Sequence, residues 1–346
     1  MKRRAVRYLP EEIIRNILRR LPVKSLIRFQ CVCKHWKNLI KSPSFIADHL
    51  HHSNHQNPLL LFDYRDHNRA MNLRLLECEM QFHGVQNEAS VDSHATWIIV
   101  FFIVEYNPAT REARQIVIDY LKCYRYTRFG FSPILNDYKI VIIFPHIWDD
   151  PALVYSVSSS SWKKVDCLFL EHLNLSYESF CVNGVIFWIG KIDGEDHYTM
   201  LSFDMAMELF TLTPLPPIIS HPERRIRLTV YEKKLAVLSL FVSENQNSFV
   251  IDLWLMEEGT VTTAERWNWM KKCTSNPLTT SLAPRVCPMA IWGNEIICIA
   301  IGGDETKNFL INITTNEFNR VRCHFSNFHL RRVFNYVESL VGTMFV

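Results

Sequence analysis

Apolar and polar positions change rhythm once along this chain, near Pro58. From Leu9 to Ile40 the apolar residues recur at helical spacing. Ile13, Ile14, Ile17, Leu18 and Leu21 form one wide stripe, the mark of a helix with a single apolar face. Pro10 opens that helix where its missing N–H costs nothing, and Glu11 and Glu12 set negative charge against the positive end of the helix dipole. Leu9 is a poor N-cap, so something other than capping must hold it. Pro22 stops the helix. A second short helix carries Leu26, Ile27 and Phe29, and a third carries Val32, Trp36, Leu39 and Ile40 before Ser42-Pro43 ends it.

Three helices in roughly 35 residues cannot hide this many large apolar side chains, because domains below about 40 residues usually need a partner, a metal or disulfides. Either the unit caps the domain that follows, or it is a docking module that is completed by a partner. The excess of apolar surface favours docking.

Beyond Pro58 the pattern becomes short apolar runs separated by polar turns. Tyr155 to Trp162, Phe203 to Phe210 and Ile311 to Phe318 each place an apolar residue, a polar turn and an aromatic seven positions on, with Tyr106 to Ala113 a weaker copy. Strand, tight turn and returning strand is what this spacing requires. Trp254 to Trp267 reads as a longer variant with Glu257-Glu258-Gly259 in its turn. Asn183-Gly184, Asp193-Gly194 and Gly293-Asn294 mark further turns. The hairpins return at roughly 50-residue intervals, the length of a kelch-type repeat. That predicts a large all-β domain, a β-propeller of about six four-stranded blades, with an irregular β-sandwich as the alternative. Since a propeller must hide its first and last edges, Leu59 to Phe62 and Tyr336 to Val341 are expected to meet in one blade.

Composition adds mainly exclusions. The chain has 346 residues, 48% of them hydrophobic and 21% charged, enough for two domains and too apolar for disorder. A net charge of +3 argues for neither nucleic acid nor an acidic membrane surface. Lys2-Arg3-Arg4 with Arg7 reads as a solvated terminus. The longest apolar run, Trp97 to Val104, is a buried strand, since a membrane-spanning helix needs about 20 residues. Charged residues alternate with apolar ones through the first thirty positions, which is unlike a signal peptide. The ten cysteines have no pairing rhythm and read as free thiols in a reducing compartment, so Asn174 and Asn312 carry no glycosylation meaning.

Candidate chemistry is sparse. His49, His51, His52 and His55 could in principle converge on a metal, but interleaved Ser53, Asn54, Gln56 and Asn57 make residues 49–58 a polar linker instead. Asp149-Asp150 and Glu257-Glu258 are paired acids whose side chains point to opposite faces of a strand. No nucleophile elbow, phosphate loop, zinc-helix or dinucleotide motif occurs, so neither a catalytic residue nor a cofactor is expected.

Leu9-Pro10-Glu11-Glu12-Ile13-Ile14, Ile17 through Leu26, Cys31-Val32-Cys33-Lys34-His35-Trp36 and Ser42-Pro43-Ser44-Phe45 together resemble a plant F-box. Weaker matches resemble the F-box-associated domain of plant F-box proteins, including the S-locus branch. They are Phe129-Gly130-Phe131, Asn136 to Val141, Val182 to Trp188, Leu201-Ser202-Phe203-Asp204 and Tyr336-Val337-Glu338-Ser339-Leu340. The resemblance implies an F-box over residues 3–48 and a propeller-like target-binding domain over 59–346. It implies a Skp-type adaptor as partner, docked or supported by Leu9, Pro10, Ile13, Ile17, Leu21, Leu26, Val32 and Trp36. Cullin and RING subunits would follow through the adaptor, with a protein target on the β-domain and a cytoplasmic or nuclear location. The expected function is therefore the non-catalytic substrate-recognition subunit of a ubiquitin ligase. Alternatives are a pollen-type receptor for self-incompatibility ribonucleases and a scaffold that does not direct degradation. A glycan-binding or oxidase propeller is a more distant class.

Overall fold

The computed structural model describes residues 9–53, 59–65, 71–75, 78–80, 101–107, 112–118, 126–144, 152–167, 170, 172–221, 223–258, 267–302, 305–321, 329–336 and 340. Four helices come first: α1 (Glu11–Leu18), α2 (Val23–Phe29), α3 (Lys34–Lys41) and α4 (Pro43–Ser53). The fourth departs from the expected three. Ser42-Pro43 does end α3, but Ser42 Oγ also accepts a hydrogen bond from the Phe45 N–H while Pro43 supplies the fixed φ of a first helical position. One dipeptide thus closes a helix and opens the next. The helix carries His49, His51 and His52 through to Ser53. Among the described residues no helix is long and apolar enough to cross a membrane.

The described segments beyond this are mostly strand and turn, with one short helix at Pro217–Ser220 and 3-10 geometry at Ala283–Arg285 and at residues 170 and 172. β1 (Leu59–Arg65), β2 (Met71–Leu75) and β3 (Cys78–Met80) share a sheet, and β4 (Phe101–Asn107) pairs with β5 (Glu112–Ile118). Two simple meanders follow. The first is β6 (Tyr126–Ser132), β7 (Asp137–Ile143), β8 (Ala152–Ser156) and β9 (Ser161–Val165). The second is β10 (Leu173–Val182), β11 (Val185–Ile192), β12 (Tyr198–Asp204) and β13 (Leu209–Pro214). A larger sheet holds β14 (Arg225–Tyr231), β15 (Lys234–Val242), β16 (Ser248–Glu258) and β17 (Trp267–Thr274), with β18 (Leu278–Thr279) also pairing β16. The last meander is β19 (Val286–Trp292), β20 (Glu295–Gly302), β21 (Glu305–Asn312) and β22 (Phe318–Val321). The final strand, β23 (His329–Tyr336), is hydrogen-bonded beside β1. The described residues thus form six sheets.

The seven-residue spacing is the register of these hairpins. Tyr155 lies directly opposite Trp162, Phe203 opposite Phe210, Ile311 opposite Phe318, and Tyr106 opposite Ala113. Aromatic cross-strand pairs stabilise a hairpin, and two of these are in ring contact, at 4.9 Å for Tyr155 and Trp162 and 4.6 Å for Phe203 and Phe210. The longer variant is a hairpin too, but Trp254 faces Lys271 and Trp267 faces Glu258. The two tryptophans are apart because β16 runs on four residues past Trp254, which places Glu257 and Glu258 on the strand and not in the turn expected for them.

The described residues fall into two compact units. One contains the four helices, most of β1, β2 to β5, the end of β23 and Leu340; the other contains β6 to β22 and the start of β23. In the second unit, the first strands of successive sheets, β6, β10, β14 and β19, lie next to one another. Arg227 on β14 ties three of them together. Its Nε donates to Glu178 on β10 at 2.7 Å and its Nη1 donates to the Pro288 carbonyl on β19 at 3.3 Å. Apolar layers fill the space between sheets, led by Trp188 and Phe203 in one, Phe249 and Cys298 in another, and Phe187 and Val237 in a third. The outermost strands β9 and β17 each carry a lysine pair, Lys163-Lys164 and Lys271-Lys272, which discourages edge-to-edge association.

Candidate functional site: the apolar ridge of the helical unit

Residues four apart on a helix share one face. Ile13 and Ile17 do so on α1, and both are exposed, Ile17 to 49%; Leu9, two residues ahead of the helix, is exposed to 57%. Pro10 beside them is exposed as well. Pro10 has a backbone φ of −54° and no side chain caps α1 from that position. The helix start is therefore held by proline geometry, with the Pro10 carbonyl accepting from the Ile13 and Ile14 N–H groups. Val32, in the turn before α3, is a further exposed apolar point at 60%.

Behind the ridge lies a compact core of Leu18, Val23, Leu26, Leu39, Ile40 and Phe45. Leu21 and Trp36 are half-buried against it, and the Trp36 ring lies 5.6 Å from that of Phe29. The eight residues picked out by sequence thus separate. Leu9, Pro10, Ile13, Ile17 and Val32 face solvent, Leu21 and Trp36 sit at the boundary, and Leu26 is wholly buried. A partner cannot reach Leu26 without unfolding the unit, so its part is to support the bundle.

Several structural residues escaped the sequence reading. Arg15 grips Asp48 Oδ2 through Nε at 2.9 Å and Nη2 at 2.6 Å, fastening α1 to α4. His49 is buried, and its Nε2–H donates to the Leu21 carbonyl at 3.0 Å, which fixes the chain after α1. That histidine is therefore a core group rather than part of a polar linker. Cys33 caps α3 by accepting the Trp36 N–H on Sγ at 3.4 Å. Leu340, near the far end of the chain, is buried in this same helical core. Among the described residues no three His, Cys, Asp or Glu side chains converge as a metal site. His55, Asp149-Asp150 and the Trp97 to Val100 part of the apolar run lie outside the described residues, as do Val337 to Ser339.

Comparison with known families matches both halves. A profile of the F-box domain covers residues 8–48, and one of the F-box associated beta propeller domain covers residues 50–339. The chain belongs to the F-box proteins with an associated β-propeller. Among its relatives in Arabidopsis thaliana, a provisionally designated F-box protein is 27% identical over 306 residues, which cover 78% of this chain and 68% of the relative. A second F-box protein is 26% identical over 306 residues, 76% of this chain and 63% of its own length. A third, also provisional, is 25% identical over 360 residues, covering 91% and 76%. Likeness to solved structures is loose. The β-propeller domain of the Trilobed protease from Pyrococcus furiosus superposes with a TM-score of 0.34 at 13% identity, over 76% of this chain and 85% of that one. In this F-box protein, then, the helical unit is the F-box and the sheets that follow are propeller blades, the layout of a substrate-recognition protein. Neither matching profile describes an enzyme family.

Proposed function

We propose that this F-box protein is the substrate-recognition subunit of a Skp–cullin–F-box ubiquitin ligase. The observation that carries the reading is the exposed ridge of Leu9, Pro10, Ile13 and Ile17 on an otherwise well-packed bundle. Soluble proteins rarely leave a contiguous apolar strip in water unless it meets a partner. A Skp-type adaptor on this ridge would desolvate it and connect the chain to cullin and RING subunits. The propeller would hold a target protein, and ubiquitin transfer would gain from raised effective concentration of target lysines near the charged conjugating enzyme. No catalytic residue is required of this chain.

Under this reading Leu9→Ala with Pro10→Ala removes side chains from the centre of the interface, at about 2 kcal/mol or more each. Pull-down of a Skp-type adaptor should fall by at least tenfold while the circular dichroism spectrum is unchanged. Leu26→Ala should behave differently, unfolding the bundle by opening a core cavity that costs about 2–5 kcal/mol. Undiminished adaptor binding by the double variant would refute the reading. So would failure of the purified complex to transfer ubiquitin to any protein captured by the propeller.

A further inference from the structure

The outermost strand of a sheet offers unpaired N–H and C=O groups to another chain unless something discourages pairing. In the second unit β9 carries Lys163 and Lys164, β17 carries Lys271 and Lys272, and β22 carries Arg320. Strand β13 is different. It reads Leu209-Phe210-Thr211-Leu212-Thr213-Pro214, without a charge, and Leu209, 55% exposed, shares one face with exposed Thr211.

Hydroxyls on β12 show which way the backbone of β13 points. Ser202 Oγ donates to the Thr211 carbonyl at 3.2 Å, and Thr199 Oγ1 donates to the Thr213 carbonyl at 3.4 Å, so both carbonyls turn towards β12. In an antiparallel ladder the N–H and C=O of one residue point to the same side, and those of the next residue to the other. Phe210 and Leu212 therefore aim their backbone groups away from β12, and among the described residues none bonds them. Their side chains are anchored nonetheless. Phe210 is buried with its ring 4.6 Å from that of Phe203, and Leu212 packs on the same core. The open edge is thus preformed.

What completes such an edge is a strand, and the sequence of β13 suits a copy of itself. Set antiparallel about a two-fold axis at Thr211, two copies place Phe210 of each opposite Leu212 of the other, Leu209 opposite Thr213, and Thr211 opposite its own counterpart. Aromatic–aliphatic and Thr–Thr neighbours are favourable across strands. Every outward group of Phe210 and Leu212 is then bonded. Moving the axis loses bonds. At Leu212 it sets Phe210 against Pro214, which has no N–H, and at Phe210 it sets Leu212 against Glu208, which lies in the turn at a φ of 53°. Charge favours the same occupant, since self-pairing of β9 or β17 would bring lysine pairs together, whereas β13 has no charge to repel.

We infer that β13 is a self-association edge, on which a second copy of this chain joins the two four-stranded sheets across a two-fold axis. A single strand edge buries less than the about 1,200–2,000 Å² of a stable interface, so the dimer is weak and reversible. On the separate reading of the propeller as a target-holding domain, pairing would set two target sites in one assembly.

Sedimentation velocity of the full chain over a wide range of concentration should show a monomer–dimer equilibrium. Thr211→Lys and Thr211→Glu each set like charges face to face at the axis, and each should weaken the dimer roughly fivefold. Mixed in equal amounts the two should regain wild-type association, because lysine then meets glutamate. Residue-resolved amide exchange needs no variant: Phe210 and Leu212 should slow as concentration rises, while Thr211, whose N–H already serves β12, should not change. A wild type that stays monomeric up to roughly 100 µM overturns the inference. So does association undiminished in Thr211→Lys, a mixture no tighter than either variant alone, or exchange at Phe210 and Leu212 that ignores concentration. A monomeric wild type whose target capture is lost in Thr211→Lys also overturns it, and assigns β13 to the target instead. Adaptor pull-down, expected to be equal for all variants, tests the F-box reading separately.

Discussion

Asp252 on β16 is a buried charge with three partners. Its carboxylate is nearly inaccessible, yet it accepts from Arg224 Nη1 at 2.7 Å, Thr274 Oγ1 at 2.7 Å and Lys271 Nζ at 2.8 Å. Burial alone would raise its pKa; the hydrogen bonds from Lys271, Thr274 and Arg224 outweigh burial and hold it below the usual carboxylate value. A carboxyl whose folded pKa is depressed stabilises fully above its unfolded pKa, about 4, and loses that contribution as pH falls through the folded value. Asp252→Asn leaves Arg224 short of its counter-charge and should cost about 3 kcal/mol near neutral pH. Thermal melts of wild type and variant should therefore differ widely at pH 7 and converge below about pH 4. A gap independent of pH would show that packing, rather than charge, makes this residue matter. Sequence could not single out Asp252, because its partners lie 19 to 28 positions away, on β17 and in the bend before β14, and nothing local marks them.

Hairpins are the elements this chain reveals most openly. An apolar residue and an aromatic seven positions on proved to be cross-strand partners, because a turn and two paired strands leave only a few lengths that bring two side chains face to face. Asn183 at φ 50° and Gly184 at φ 80° form the turn their types announce. Gly184 has a second reason to be glycine, since a Cβ there would come within 2.8 Å of Pro133 Cδ. The β14–β15 turn gave no such signal. Glu232 and Lys233 both adopt left-handed φ, at 50° and 62°, with side chains that disfavour it. Each costs roughly 1 kcal/mol. Glu232→Asn with Lys233→Gly should relieve that strain and raise stability by about 1–2 kcal/mol, read as a higher denaturant midpoint at unchanged slope. An unchanged or lower midpoint would mean that the Lys272 and Glu232 charge contact, at 3.9 Å, holds the turn more firmly than its backbone resists.

For the molecule as a whole, the decisive residues are at the chain's far end. Strand β23 lies beside β1, so the sheet that begins the β-rich part also contains its last strand. The pairing falls just before the stretch expected to make it, for Leu340 leaves the sheet and enters the F-box core with Leu18, Phe45 and Ile40. A fragment starting at residue 59 would therefore keep Leu340 but lose the side chains that bury it. Leu340→Ala should cost about 2–5 kcal/mol as a core cavity, and it should weaken adaptor capture even though no ridge residue is touched. Deleting residues 329–346, all of β23 and Leu340, should do both that and free the edge of β1, seen as aggregation on warming. A truncated chain that melts and binds adaptor like the full one would refute the coupling.

What the sequence determined by itself is local and periodic. The switch from helical to strand rhythm, the apolar stripe of α1, the hairpin registers and the F-box resemblance all depend on residues within one or two turns of each other, where spacing alone dictates which side chains share a face. Tertiary structure decided everything that joins distant segments. Burial made Leu26 and His49 core groups while leaving Leu9 and Ile17 in water, a distinction that an apolar stripe cannot encode because both sides of it are hydrophobic. Folding also brought Lys139 and Lys163 onto Glu208, and Leu340 onto the helices. These contacts span scores to hundreds of positions, and their energy comes from desolvation and charge pairing that exist only once the chain has closed on itself.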